Sequence, residues 1–161
     1  MTTRVLILRD SRECAKKCSL MPLRGKPSIK FVRYDAARRV SVGARILLHP
    51  EGTLLTPADL GQDLLVIDCA WRRVDALLAT VDGELSLRRL PVLRTAYPRT
   101  SRTHADPQTG LASVEALYAA LCILGEPRDD LLERYHWRDE FLHLNPGLQG
   151  NSSSSRPPSS T

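Results

Sequence analysis

The run LLVID at residues 64–68 constrains the fold more than any other stretch of this chain. An apolar segment that stays unbroken until a final carboxylate suits a strand buried on both faces, the kind found in parallel sheets. The pattern then changes period. In AWRRVDALLATV, residues 70–81, Val74, Leu77, Leu78 and Val81 fall at helical spacing, with Arg72, Arg73 and Asp75 mostly on the other side. Strand, tight turn and helix predict half of an α/β unit. Ligands of open parallel sheets sit beyond the carboxyl ends of the strands, which is where Asp68, Cys69, Ala70 and Trp71 stand. Two plainer roles fit the same positions: Trp71 as a core anchor at the start of a helix, and Asp68 as the cap of that helix.

Around this unit the chain divides into three parts without internal repeats. Residues 1–56 hold short strand-like runs, RVLIL, IKFVRY and RILLH, separated by Gly-, Pro-, Ser- and Asp-containing spacers. They predict a small basic β-rich lobe. The second part, 57–145, opens on TPADLG, with Thr56 placed to cap and Pro57 at a first helical position. After the helix over 70–81 the next predicted strand is RRLPVLRT, residues 88–95, followed by the polar segment AYPRTSRTHADPQTGLA. A helix over SVEALYAALCILG follows, with Ser113 as N-cap and Gly125 as its stop. Two more helices are read from PRDDLLERYH and WRDEFLHLN. Residues 146–161, PGLQGNSSSSRPPSST, have too little apolar surface to offset ordering entropy and are expected to be disordered.

Composition narrows the classes. With 42% apolar and only 5% aromatic residues, the core must be built from Leu, Val, Ile and Ala in a globular protein. No run approaches the roughly 20 apolar residues of a membrane helix, and MTTRVLILRDSRE has no secretory h-region or cleavage site; a cytoplasmic protein is expected. Cys14, Cys18, Cys69 and Cys122 do not form the paired spacing of a zinc site, and the four histidines are scattered, so four free thiols and no metal are expected. Charge is lopsided. Residues 1–48 carry twelve Lys and Arg against three acids, whereas the remainder carries eleven bases against fifteen acids. A one-sided field of this kind draws in a polyanion such as RNA, although a solvated basic face accounts for it too.

Four motifs in order, LLVIDCAW, RRLPVLRTAYP, LASVEALYAALCILG and LLERYHWRDEFLHLN, resemble the aminocarboxypropyltransferases that modify small-subunit ribosomal RNA, a family of archaeal and eukaryotic ribosome biogenesis proteins. The resemblance spans most of residues 3–145. It implies S-adenosylmethionine as cofactor, whose 3-amino-3-carboxypropyl group is passed to N3 of a hypermodified pseudouridine. It also implies a SPOUT-like knotted C-terminal α/β domain with a parallel sheet, an N-terminal lobe that helps hold RNA, a pre-ribosomal particle as partner, and a monomer.

Carried over position by position, the resemblance places Trp71 as a wall of the cofactor pocket and Asp68 near the sulfonium as the candidate catalytic carboxylate. Leu93, Arg94 and Thr95 fall in the loop whose main chain faces adenine. Ser19 lies on the ribose side, and Ser113 approaches the carboxylate of the transferred group at a helix start. Three segments depart from the family pattern. DSRECAKKCSLM is shorter and lacks its Pro and Gly, TAYPRTSRTHADPQTG is longer and lacks its Asn, and Ala112 stands where the first polar residue of the helix start belongs. A tRNA uridine as acceptor and a non-catalytic pre-ribosomal RNA-binding factor stay open as alternatives. Cys69 reads as a buried thiol.

Overall fold

The computed structural model describes residues 2–12, 19–97 and 111–150; Cys14, Cys18, His104 and most of the long polar segment lie outside the described residues. Five strands form one parallel sheet in the order β2-β1-β4-β3-β5. They are β1 (Val5–Arg9), β2 (Ile29–Arg33), β3 (Val40–Leu54), β4 (Asp63–Asp68) and β5 (Val81–Arg89). The two apolar runs RVLIL and LLVID become the central neighbours β1 and β4, with Val5 beside Leu64, Leu6 beside Leu65 and Ile7 beside Val66.

Strand alternation then sorts the core into two layers. Val5, Ile7, Ile46, Leu64 and Val66 face a large cluster with Leu117, Tyr118, Leu121 and Phe141. Leu6, Leu8, Leu47 and Leu65 face a smaller one with Val42 and Leu77. Ile7, Leu8, Leu64 and Leu65 are fully buried, each contributing roughly 1.5–3 kcal/mol from area removed from water. The larger layer is filled by α2 (Ser113–Ile123), buried at every position from Val114 to Cys122 except Ala116, with α3 (Arg138–Leu144) behind it. The smaller layer is closed by the single turn and a half of α1 (Val74–Leu78), through Leu77.

Several expectations change. The three strands of residues 1–56 do not form a sheet of their own, because β1 lies between β2 and β4. The helix after Trp71 is shorter than its apolar periodicity: a 3₁₀ turn at Trp71–Arg73 leads into α1, which stops at Leu78, where the Thr80 hydroxyl donates to the Leu77 carbonyl at 2.7 Å. Strand β5 therefore begins at Val81 and ends at Arg89, and 90–96 belongs to no strand or helix. VDGELSLRR hides this strand because it is an edge paired only with β3, so much of it is polar and exposed, and its Gly83 is needed where the strand presses on the Gly43 backbone. Pro91, without an N–H, cannot extend the ladder. Finally, of the tail at 146–161 the described part is ordered, since α4 (Gly147–Gly150) follows α3 and Leu148 is buried in the large cluster, while residues 151–161 lie outside the described residues. PRDDLLERYH supplies only a 3₁₀ turn, Asp129–Leu132, and TPADLG another, Pro57–Asp59.

Candidate cofactor pocket

Parallel strands put all their carboxyl ends on one edge, and a pocket opens there between β3, β4 and the start of α2. Leu47, Leu48 and His49 come from β3, Val66 and Ile67 from β4, Cys69, Trp71 and Val74 from the turn beyond it, and Leu111, Ser113 and Ala116 from the approach and first turn of α2. The walls are mostly aliphatic. The indole of Trp71 stands beside the His49 imidazole at 5.9 Å between ring centroids, tilted by 48°, and remains 44% exposed. A large aromatic left partly open to solvent at a cavity rim still has apolar surface to bury, and covering a ligand would bury it. The cavity encloses about 100 Å³, small beside the roughly 300–1,000 Å³ of small-molecule sites, so these walls grip one moiety of a larger ligand. Aliphatic side chains plus one aromatic face suit an adenine or the alkyl part of a sulfonium. Ser113 and the partial positive charge of a helix start suit a carboxylate.

Comparisons with known proteins show the family. Residues 46–154 match the family described as "Ribosome biogenesis protein, C-terminal". The chain is 33% identical over 158 residues to the 16S rRNA aminocarboxypropyltransferase of Vulcanisaeta distributa, covering 90% of this chain and 79% of that protein. It is 34% identical over 123 residues to the enzyme of the same name from Halobacterium salinarum, covering 72% and 71%. The chain belongs to the 16S rRNA aminocarboxypropyltransferase family. Its fold matches the structure of the SAM-dependent rRNA:acp-transferase Tsr3 from Vulcanisaeta distributa with a TM-score of 0.71 and 30% identity, over 96% of this chain and 85% of that one.

Within this member of the family the sequence-predicted residues fall into three groups. Trp71 and Ser113 line the pocket together. Trp71 is accordingly not a core anchor. Ser19 lies next to them: its hydroxyl accepts the Val114 N–H at 3.1 Å. Ala112, not Ser113, is the N-cap residue of α2 and has no side-chain acceptor to offer; Ser19 supplies that acceptor from across the chain.

Asp68 ends β4 and is 7% exposed. The N-cap residues of the two helical segments after it are Ala70 and Arg73. Its carboxylate faces the Arg9 guanidinium at 3.6 Å, and the flanking Ile67 and Cys69, rather than Asp68, line the pocket. Cys69 is thus half-buried on the wall and not sealed in the core.

Leu93, Arg94 and Thr95 form a strap on the α2 side of the sheet, and none of them lines the cavity. Leu93 packs on the large core cluster. The Arg94 backbone is closed by the Asn145 side chain, N–H to Oδ1 and Nδ2 to carbonyl, both at 2.8 Å. The Thr95 hydroxyl donates to Glu115 at 2.6 Å.

Glu115 is the residue that motif reading passed over. Fully buried, its carboxylate accepts the Thr95 hydroxyl and the N–H groups of Ala96 and Ala112, at 2.6–2.9 Å. It joins the strap to the helix start that carries Ser113. A Glu at the third position of a helix, reaching back to the cap residue, is the sequence signal that could have found it. Burial, together with the negative charge of Glu115, pushes the nearby Tyr135 hydroxyl well above the ordinary tyrosine range.

A second missed element is the Asp10–Arg73 pair. The Asp10 carboxylate, 1% exposed, accepts from the Arg73 Nε and from the Arg12 N–H. Burial alone would raise its pKa, but the Arg73 hydrogen bond, the Arg12 N–H and both positive charges outweigh it, leaving the carboxyl below its ordinary value. Because the Asp10 N–H also donates to the Asp68 carbonyl at 3.0 Å, β1 is locked to both ends of the turn that presents Cys69 and Trp71.

Proposed function

We propose that this protein transfers the 3-amino-3-carboxypropyl group of S-adenosylmethionine to N3 of a uridine or pseudouridine in small-subunit ribosomal RNA during ribosome biogenesis. The observation that carries this reading is the placement of Trp71 and Ser113 on one pocket at the carboxyl edge of a parallel sheet, in a chain of the 16S rRNA aminocarboxypropyltransferase family.

A sulfonium is an activated leaving centre, so the bound cofactor supplies its own electrophile and no covalent nucleophile is required. The protein has to present one of three C–S bonds to the RNA. The aliphatic wall of Leu47, Leu48, Val66 and Ile67 excludes water, Trp71 covers the ligand, and Ser113 at the first position of α2 receives the carboxylate end. Alignment of this type can supply on the order of 7–11 kcal/mol of the barrier. Asp68, at the end of β4 beside the pocket and 3.6 Å from the Arg9 guanidinium, serves as the carboxylate that favours the cation and takes up the N3 proton. The positive charge of residues 1–48 that is not paired within the fold holds the RNA.

The same reading takes the domain as the knotted SPOUT type, supported by the strap at 90–96 pinned by Asn145 on one side and Glu115 on the other. It takes the working form as a cytoplasmic monomer, as the sequence and the family resemblance lead one to expect; among the described residues no helix is long and apolar enough to cross a membrane.

Calorimetric titration of S-adenosylmethionine into wild type and Trp71→Ala tests the reading. Wild type should bind and the variant should lose at least about tenfold in affinity, roughly 1.4 kcal/mol. Absence of binding by wild type would remove the enzymatic reading, and equal binding by Trp71→Ala would move the pocket elsewhere.

A further inference from the structure

The positive charge of residues 1–48 is not spread evenly. Some of its arginines are committed within the fold. Arg4 pairs with Asp63 at 2.9 Å and Arg39 with Asp82 at 2.5 Å. Arg45 donates to the carbonyls of Val42 and Leu64 at 2.9 and 3.0 Å. Arg12, Arg33 and Arg38 differ: all three are exposed, have no ion-pair partner among the described residues, and line one cleft together with Tyr34 and Arg73.

The two acids in this cleft are already engaged. Asp10 is held by Arg73, and the Asp35 carboxylate accepts the Ala37 N–H at 2.9 Å. Arg73 is itself fixed, between Asp10 and the Tyr34 ring, with its guanidinium carbon 5.7 Å from the ring centroid. Three exposed like charges around an opening of about 400 Å³ repel one another unless an anion lies between them, and an open cleft suits a chain passing through it better than an enclosed ion.

Its position fits the chemistry next door. Arg33, Arg9 and Asp68 are register neighbours across β2, β1 and β4, so the cleft and the cofactor pocket share the carboxyl edge of the sheet. Strands lie about 4.8 Å apart, which puts the cleft on the order of 10 Å along the edge from the β4 end of that pocket. This is a nucleotide or two along an RNA strand.

We propose that this cleft binds a phosphodiester of the RNA strand beside the nucleotide being modified, with Arg12, Arg33 and Arg38 as its ligands and the Arg73–Tyr34 pair as its floor. The proposal rests on RNA being the substrate, as read above. Because Arg73 follows Trp71 by two residues, the floor of the phosphate site and the cover of the cofactor pocket belong to one turn.

The test uses the full chain and a hairpin transcript carrying the loop of its small-subunit rRNA, with affinity measured by fluorescence anisotropy over a series of KCl concentrations. Each phosphate contact contributes roughly one unit to the slope of log affinity against log salt. Arg33→Gln and Arg38→Gln should each lower the slope by about one, and the double variant by about two, while Arg39→Gln, which removes the same charge outside the cleft, should leave it unchanged. An unchanged slope in the double variant, an equal loss in Arg39→Gln, or no hairpin binding by wild type would overturn the proposal. So would saturable binding of inorganic phosphate to wild type in calorimetry, which would assign the cleft to a free anion. Cofactor titration into the same variants separates the two readings: normal cofactor binding with an unchanged salt slope sinks the cleft alone, whereas failure of wild type to bind cofactor sinks the proposed activity and leaves the slope to judge the cleft.

Discussion

Asn145 satisfies both backbone groups of Arg94, 51 residues away, and gives a further hydrogen bond to the Phe141 carbonyl. One side-chain amide thereby holds the strap at 90–96, which has no strand partner, against the end of α3. Asn145→Ala leaves a part-buried backbone pair without these partners and removes the buried bond to Phe141, and an unmade buried hydrogen bond costs about 1–3 kcal/mol. A loss of about 2–3 kcal/mol in urea unfolding is expected, with weaker cofactor binding as the strap loosens.

The Asp10–Arg73 pair makes a prediction about acid. The carboxyl of Asp10 is depressed in the folded protein, so its contribution is complete above the unfolded value near 3.8 and is lost as pH falls through the lower folded value. Asp10→Asn should therefore be less stable than wild type by about 1.5–3 kcal/mol at pH 7, and the gap should close only below about pH 4. Denaturant midpoints of both proteins over pH 2.5–7 would show it; a gap that persists unchanged to the acid end would place the cost in packing rather than in the ion pair.

The sheet centre was legible because β1 and β4 are buried on both faces, and continuous apolar runs have little else they can become. The helix α2 was legible for a similar reason, with Gly125 marking its end. The edge was not. Strand β5 reads as a polar, glycine-containing stretch because only one neighbour and one face discipline it, and the helix before it ends sooner than its periodicity since Thr80 and the sheet decide its length. At the site, Trp71 and Ser113 were found from motifs. Glu115, Asn145 and Asp10 act on partners 19 to 63 residues away; apart from the local reach of Glu115 back to Ala112, nothing in local pattern reports such pairings.

Glu115 should be intolerant of even a near-isosteric change. Its two oxygens receive three donors in a fully buried place, and an amide in Glu115→Gln turns its own N–H₂ toward one of them. The expected cost is about 2–4 kcal/mol, from one broken charge-assisted bond plus a donor facing a donor. Thermal unfolding of Glu115→Gln beside Thr95→Val would separate the contributions, because the Thr95 change removes only one of the three donors and should cost about 1 kcal/mol.

Ser19 offers the sharpest separation of structure from binding. As the acceptor for Val114 N–H in a helix whose own cap residue is alanine, it replaces a missing N-cap, and Ser19→Ala should cost about 0.5–2 kcal/mol. Ser19→Thr keeps the hydroxyl and should restore most of that. If Ser19 acts only through the helix start, cofactor affinity should follow stability across the two variants, with Ser19→Thr near wild type in both. If its hydroxyl also touches the ribose, Ser19→Thr should restore the unfolding midpoint yet leave cofactor binding weakened, since the added methyl crowds the ligand and not the backbone. Unfolding and calorimetry on the same pair of variants decide between the two.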